Sequence, residues 1–258
     1  MTIIRSRDNP RVKRWAKLAN DARFRKNERR ILLEGPHLVV EALQAGLEPH
    51  ALIVSESGQR RPEIQSLLER GRGKNETVIL ADRIFGIVAH ADTPPGIAAE
   101  MQVPQLEADS GKSAVFLEGV QDPSNVGAIL RTASAFGAGE VVLDRDCADP
   151  WSPKVLRAAM GGHFKLALRQ AGDLSKELMQ FQGTTVCTVA SGGVALKEAE
   201  LRGRLGWIFG AEGKGVSVAL ARRAAMKVTI AMAPGSESLN VAAAAAICLY
   251  ESFARAHK

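Results

Sequence analysis

The stretch DPSNVGAILRTASAFGAGEVVL, residues 122–143, reads as a turn, a helix and a strand, and it sets one arginine among some of the smallest residues of the chain. At about 100° per residue, Val126, Ile129, Leu130, Ala133 and Gly137 share roughly a third of the helical wheel, which makes a buried stripe. Arg131 lies just off that stripe. Gly127 and Ser134 are one turn away and Ala138 lies beyond, so nothing bulky covers the guanidinium. Two readings are open: a prepared site for an anion or ligand, or an arginine reaching out from the edge of a core helix. Asp122, Pro123, Ser124 and Asn125 supply a turn and a cap, because Ser and Asn oxygens accept from unpaired first-turn amides. Taken alone, Asn125 reads as a simple cap.

Around this stretch the chain alternates short apolar runs with helical patterns. Before it come ILLEG, PHLVVEALQAG, ALIVS, PEIQSLLERG, TVIL, DRIFGIVAH and GIAAEM, which together make a small α/β unit over residues 31–101. Residues 102–113 are polar with Pro and Gly and read as a linker. Then follow AVFLEGV, the Arg131 helix, EVVLD, SPKVLRAAMG, FKLAL, DLSKELMQF, TTVCTVA, LGWIFG, VSVALARRA, AMKVTIAM and an Ala-rich helix from about Leu239 to Ala256. Strands of five to eight residues separated by helices predict a mostly parallel sheet covered on both faces. The expected domains are 1–104 and 105–258.

Composition narrows the class. The 258 residues are 46% apolar and can bury a sizeable core. No stretch of 18 uncharged apolar residues occurs, and the basic start has no apolar run behind it, so a membrane span and a secretory signal are not expected and the cytoplasm is. Cys147, Cys187 and Cys248 are far apart and unpaired in pattern, and the histidines have no ligand spacing, so neither disulfides nor a metal is expected. Net charge is +6, yet residues 1–30 hold eleven Lys or Arg against Asp8, Asp21 and Glu28, which is +8 and leaves the remainder at −2. The basic arm, with Arg11, Lys13, Arg14, Arg23, Arg25, Lys26, Arg29 and Arg30, is the footprint expected of a protein that contacts a phosphate backbone. A solvated basic helix, or one on an anionic membrane, is the competing reading.

Two nucleotide motifs fail on context. Gly111-Lys112-Ser113 lacks the leading glycine of a phosphate-binding loop and precedes a strand, while Gly137-Ala138-Gly139 ends a helix where a dinucleotide fingerprint would begin one. GWIFGAEGKGVS, residues 206–217, does better: a strand runs into Gly210, Gly213 and Gly215 and a helix follows, so a ligand can approach bare backbone at the carboxyl end of a strand. Glu212 in its middle suits a ligand with hydroxyls or amino groups and repels a polyphosphate; a plain Gly-rich turn is the alternative. In IAMAPGSESLNVAAAAAICLYE, residues 230–251, a strand ends, a Pro-Gly loop bends, and Ser238 or Asn240 caps a helix whose Ala242–Ala246 permit close packing of another backbone. That helix is either a tight packing seam or the mouth of a site with Ser238 and Asn240 in it.

The three segments, in this order, resemble the motifs of the SpoU/TrmH family of SPOUT methyltransferases: NVGAILRTASAFGA the first, IFGAEGKGVS the second and ESLNVAAAAAICLYE the third, over residues 113–256. NPRVKRWAKL and ILLEGPHLVVEAL are similar, more weakly, to the L30e-like RNA-binding region of some members. The resemblance implies a small L30e-like α/β N-terminal domain followed by a SPOUT domain, mostly parallel with a deep trefoil knot, and a homodimer that transfers methyl from S-adenosylmethionine to a ribose 2′-hydroxyl of RNA. It implies Asn125 and Arg131 as the catalytic pair of the first motif, Glu212 in support from the second, and Ser238 and Asn240 holding substrate from the third. Backbone at Gly210, Ile230, Met232 and Leu239 would meet the donor. The chain departs from the family pattern at Ala159, Ala167, Ala231 and Ala242. Ribosomal RNA stands ahead of transfer RNA as the expected substrate, and an RNA-binding protein of the same fold without activity is the alternative from a different class. Removing the proton from a guanidinium at pH 7 costs roughly 7 to 9 kcal/mol. The expected role of Arg131 is therefore to grip the phosphate beside the target ribose and orient its hydroxyl, with proton loss late.

Overall fold

A computed structural model describes residues 3–70, 75–89, 91 and 93–257. They gather into two compact units: residues up to Pro104 with Asp149–Phe164, and Gln105–Ala148 with the chain from Lys165 onward. Gly71 and His90, at the ends of two expected helices, lie outside the described residues.

The first unit begins with β1 (Ile3–Ile4), α1 (Pro10–Asn20) and α2 (Ala22–Glu28), and continues through β2 (Arg30–Glu34), α3 (Pro36–Gln44), β3 (Ala51–Ser55), α4 (Pro62–Arg70), β4 (Glu76–Leu80), α5 (Asp82–Val88) and β5 (Ile97–Gln102). Its sheet runs β1-β4-β3-β5-β2, with β1, β4 and β3 parallel and β5 antiparallel to both neighbours. Strand side chains alternate between faces. Ile31, Leu33, Leu52, Val54 and Ile97 join one core with Leu38 of α3 and Ile64 of α4. Leu32, Ile53, Leu80 and Ala98 join the other, with Val12, Trp15 and Leu18 of α1. Both faces are covered, which is why the strands read as unbroken apolar runs.

This packing corrects the picture of residues 1–30 as an arm. Asn9 caps α1 by accepting from the Arg11 amide, Pro10 opens it, and Val12, Trp15, Leu18 and Ala19 are buried. The buried Glu100 of β5 accepts from Trp15 Nε1 at 2.7 Å and from Arg14 Nη1 at 2.6 Å. Deleting this segment would therefore open the core and not merely remove charge.

In the segment of the first unit that falls between the two stretches of the second in sequence, α7 (Pro153–Ala159) packs Leu156 into the first unit's core, where Phe164 also lies. The expected strand FKLAL is shifted: Met160 (φ 49°) and Gly161 (φ 88°) end α7, a 3-10 turn occupies Gly162–Lys165, and pairing starts only at Ala167. His163, fully buried, lies with Nε2 2.6 Å from the Pro150 carbonyl, and Nδ1 has no partner among the described residues. Burial pushes its pKa from 6.5 down to about 4, against weaker opposing pulls from the Pro150 carbonyl and Asp149. The unfolded chain thus binds a proton below pH 6.5 that the fold refuses, and stability falls as pH drops from 6.5 toward 4, by about 3 kcal/mol in all. Urea unfolding at pH 7.5 and again near pH 5 should show about 2 kcal/mol of that loss in the wild type and less in His163→Gln.

The second unit holds β6 (Ala114–Glu118), α6 (Pro123–Ala135), β7 (Glu140–Leu143), β8 (Ala167–Gln170), α8 (Leu174–Gln180), β9 (Thr184–Thr188), β10 (Val194–Ala195), β11 (Leu205–Gly210), α9 (Val218–Arg223), β12 (Met226–Thr229) and α10 (Val241–Ala256). Its seven strands run β10-β12-β9-β11-β6-β7-β8, and every pairing is parallel. All carboxyl ends therefore lie on one edge of the sheet, where loops 119–122, 211–217 and 230–240 emerge. The α10 helix packs against α6.

Candidate active site

The helix carrying Arg131 forms as its pattern predicts, with Val126, Ile129, Leu130 and Ala133 fully buried. Gly137 does not continue the stripe. It sits past the helix at φ 75°, where Ala138 N donates to Ala133 O and Gly137 N to Ser134 O, the paired bonds of a Schellman end. At the other end the cap is Asp122, whose carboxylate accepts from Ser124 N at 2.7 Å. Asn125 is thereby released from capping, contrary to its simplest reading.

Released, the Asn125 side chain joins the three segments. Its Nδ2 donates to Glu212 Oε1 at 2.7 Å, and its Oδ1 accepts from Asn240 Nδ2 at 2.9 Å. Asn240 is the N-cap of α10, its Oδ1 accepting from the Ala242 and Ala243 amides at 2.9 and 3.2 Å. One side chain from each segment thus forms a single row along the carboxyl edge of the sheet. Arg131 is exposed and makes no ion pair or hydrogen bond among the described residues. Ser238 is exposed in the loop before α10 and does not enter the row.

The Gly-rich loop is shaped by close approach. A Cβ on Gly210 would stand 2.1 Å from the carbonyl carbon and oxygen of Gly215, so only glycine fits at the end of β11. Gly213 (φ 79°) and Gly215 (φ 66°) have open space where their own side chains would be. Ile230 and Met232 are half-buried and Leu239 is exposed in the 230–240 loop. Gly210 ends β11 and Ile230 directly follows β12, the strands on either side of β9, so they lie about 10 Å apart at two strand spacings.

Two residues that the sequence reading passed over hold this edge. Glu118, at the end of β6, accepts from the Ser217 amide at 2.6 Å and so ties down the far end of the Gly-rich loop. Asp144, just past β7, accepts from the Gly119, Asp146 and Cys147 amides. Their signal was position: acidic residues directly after strand runs, at the edge where ligands bind. A cavity of about 1130 Å³ lies elsewhere in this unit, lined by Ser113, Phe136, Leu205 and Phe253 at the amino-terminal ends of β6 and β11.

The basic residues divide. Arg25 is a correction: it is 5% exposed, donates to Asp149 through Nε and Nη2 and to the Leu18 and Ala19 carbonyls through Nη1, and so has no edge left for a phosphate. Arg11 is bidentate to Glu76, Lys13 pairs with Asp8, and Arg14 and Arg30 face Glu100. Arg23, Lys26 and Arg29 are exposed at three-residue intervals along and just past α2, without ion pairs among the described residues. Among the described residues no cluster of His, Cys, Asp and Glu could hold a metal, and no helix is long and apolar enough to cross a membrane.

With the row of three side chains in place, the comparison with known proteins becomes specific. The SpoU rRNA methylase family matches residues 112–250, which span the row and both loops, and an MRM3-like substrate binding domain matches residues 9–99. The chain belongs to the SpoU rRNA methylase family. It is 33% identical to the 23S rRNA (guanosine(2553)-2'-O)-methyltransferase RlmP of Bacillus subtilis over 97% of this chain and 98% of that protein. A crystal structure of an RNA 2'-O ribose methyltransferase superposes with a TM-score of 0.84 at 29% identity, covering all of both chains. The AdoMet-bound rRNA methyltransferase of Sinorhizobium meliloti superposes with a TM-score of 0.83 at 27% identity, covering 99% of this chain and 98% of that one. The activity class expected from the three segments, RNA ribose methylation with S-adenosylmethionine as donor, is the one this SpoU chain belongs to.

Proposed function

We propose that this SpoU-family chain methylates a ribose 2′-hydroxyl of 23S ribosomal RNA, and that the row Glu212–Asn125–Asn240 with Arg131 beside it on α6 is the catalytic group. The observation that carries the reading is the row itself, which ties three distant segments at one sheet edge. The donor supplies an electrophilic methyl on a sulfonium. The residues present fit it: bare backbone with open space at Gly213 and Gly215, the end of β11 at Gly210, and Ile230, Met232 and Leu239 across β9.

A ribose hydroxyl is a weak nucleophile, so the protein's task is alignment and the handling of one proton. The guanidinium of Arg131, without a partner among the described residues, is suited to a bidentate grip on the phosphate next to the target ribose. Glu212 accepts from Asn125 through Oε1, leaving its other oxygen for a substrate hydroxyl. Ser238, exposed on the loop, meets RNA from the side. The first unit holds the RNA backbone through Arg23, Lys26 and Arg29. The same reading takes the active form to be a homodimer that buries Ile247 and Tyr250, both exposed on α10, takes the chain beyond β11 to pass through a trefoil knot, and places the protein in the cytoplasm with its substrate.

Calorimetric titration with S-adenosylmethionine, followed by tritiated methyl transfer to 23S rRNA, tests the proposal; binding without transfer to any RNA would favour the inactive RNA-binding alternative. Salt dependence tests the basic residues. Arg23→Ala, Lys26→Ala and Arg29→Ala should each lower the slope of log affinity against log salt by about 0.7 to 0.9. Arg25→Ala should leave that slope alone and lower the stability of the protein by about 3 kcal/mol, because it breaks the pair with Asp149 and takes the Nη1 donor from the Leu18 and Ala19 carbonyls. A slope change in Arg25→Ala equal to the others would contradict the division.

A further inference from the structure

The hydrogen bonds through Asn240 and Asn125 all run in one direction. At the start of α10, the Asn240 Oδ1 is committed to two first-turn amides, at 2.9 and 3.2 Å, and those amides can only donate. Its Nδ2 therefore points away from the helix and donates to Asn125 Oδ1 at 2.9 Å. Asn125 then has its nitrogen on the far side, where it donates to Glu212 Oε1 at 2.7 Å, and an ionised carboxylate can only accept. A side-chain amide has one donating and one accepting end, so the two ends of this row leave each asparagine a single orientation.

We propose that Asn240 is a positioning residue, acting through Asn125: it takes the polarity of the α10 amino terminus and passes it along the row, so that Glu212 is held against the start of α6 in the orientation that methyl transfer uses. The assignment rests on the methyltransferase reading of the site and gives Asn240 a role distinct from holding substrate. It also separates two duties that one residue performs. Capping α10 needs only the side-chain oxygen of Asn240, whereas orienting Asn125 needs its nitrogen.

Asn240→Asp divides the duties. Aspartate caps as well as asparagine and its charge suits a helix amino terminus, but it has no hydrogen for Asn125 Oδ1. The expected result is a Tm within about 2 °C of wild type or above it, S-adenosylmethionine affinity within about twofold, RNA KM within about threefold, and kcat lowered about 50-fold. A kcat within about threefold of wild type would overturn the proposal, since a pure cap predicts that outcome.

The second arm inverts the row. In the double variant Asn240→Asp, Glu212→Gln, the introduced glutamine donates to Asn125 Oδ1, and Asn125 donates in turn to the carboxylate introduced at the α10 cap. With 15N-labelled asparagine, NOEs from the Asn125 side-chain amide hydrogens should run to the methylenes of Glu212 in wild type and to the methylene of residue 240 in the double variant, because the amide turns over between them. A double variant whose Asn125 amide hydrogens still face residue 212 would overturn the proposal. Because these contacts are read without turnover, a wild type that transfers no methyl would refute the site's function and leave this arm intact as the test of the row.

Discussion

Replacing Arg131 by alanine is expected to lower kcat/KM for methyl transfer about 1000-fold, and replacing it by lysine about 30-fold, with S-adenosylmethionine affinity unchanged in both. The alanine value is that of removing a charge-assisted donor from the reacting site, about 4 kcal/mol at 1.36 kcal/mol per decade. Lysine keeps the charge but presents a point donor where a planar fork can hold two oxygens, so it recovers only part of the loss. Nothing in the fold relies on the guanidinium: it is exposed, and among the described residues it has no partner. Unfolding curves should accordingly superimpose on those of the wild type, which makes any lost rate a statement about the reaction. Arg131→Lys with near wild-type activity and an unchanged pH–rate profile would contradict the bidentate grip.

The second large effect is expected at Gly210. In Gly210→Ala the new methyl would stand 2.1 Å from the Gly215 carbonyl and 2.2 Å from the Val216 amide nitrogen. These are backbone atoms on a loop already tied by the Ala211–Gly215 bridge and by Glu118 to Ser217, so no side chain can turn aside. Overpacking of this kind costs about 3 kcal/mol, which for a chain of this size corresponds to a Tm lowered by about 10 °C. The loop can relieve the clash only by lifting off the strand, and calorimetry should show S-adenosylmethionine affinity falling at least about 10-fold. Gly213→Ala is the control. Gly213, unlike Gly210, has a positive φ, but open space lies where its Cβ would stand, so strain without collision should cost about 1 kcal/mol.

These two positions also mark where the sequence is transparent. Periodicity located α6 through Val126, Ile129, Leu130 and Ala133, though it carried the stripe on to Gly137, which lies past the helix end, and the alternation of strands and helices announced a parallel sheet, since parallel strands need crossovers. Asn125, Glu212 and Asn240 could be named, but not joined: Asn125 reads as a cap until Asp122, three residues earlier, is seen to do that work. Which residue takes a cap is settled by the local backbone, and Asp122, Ser124 and Asn125, three residues of similar propensity within four positions, conceal it. The charge of residues 1–30 misled for the opposite reason. A count of cations is blind to Glu76, Glu100 and Asp149, carboxylates distant in sequence that neutralise Arg11, Arg14 and Arg25 in space. Val12, Trp15 and Leu18, at near-helical spacing among those cations, are the better guide, because a segment that buries a tryptophan is not an arm.

That methyl reaches a ribose oxygen is the central claim, and it is tested most directly by alkaline hydrolysis of 23S rRNA labelled by the enzyme with tritiated S-adenosylmethionine. A methylated 2′-oxygen cannot attack the adjacent phosphodiester, so the expected tritium lies in alkali-stable dinucleotides, with next to none incorporated by Arg131→Ala. Tritium in mononucleotides would mean a methylated base and would contradict the claim.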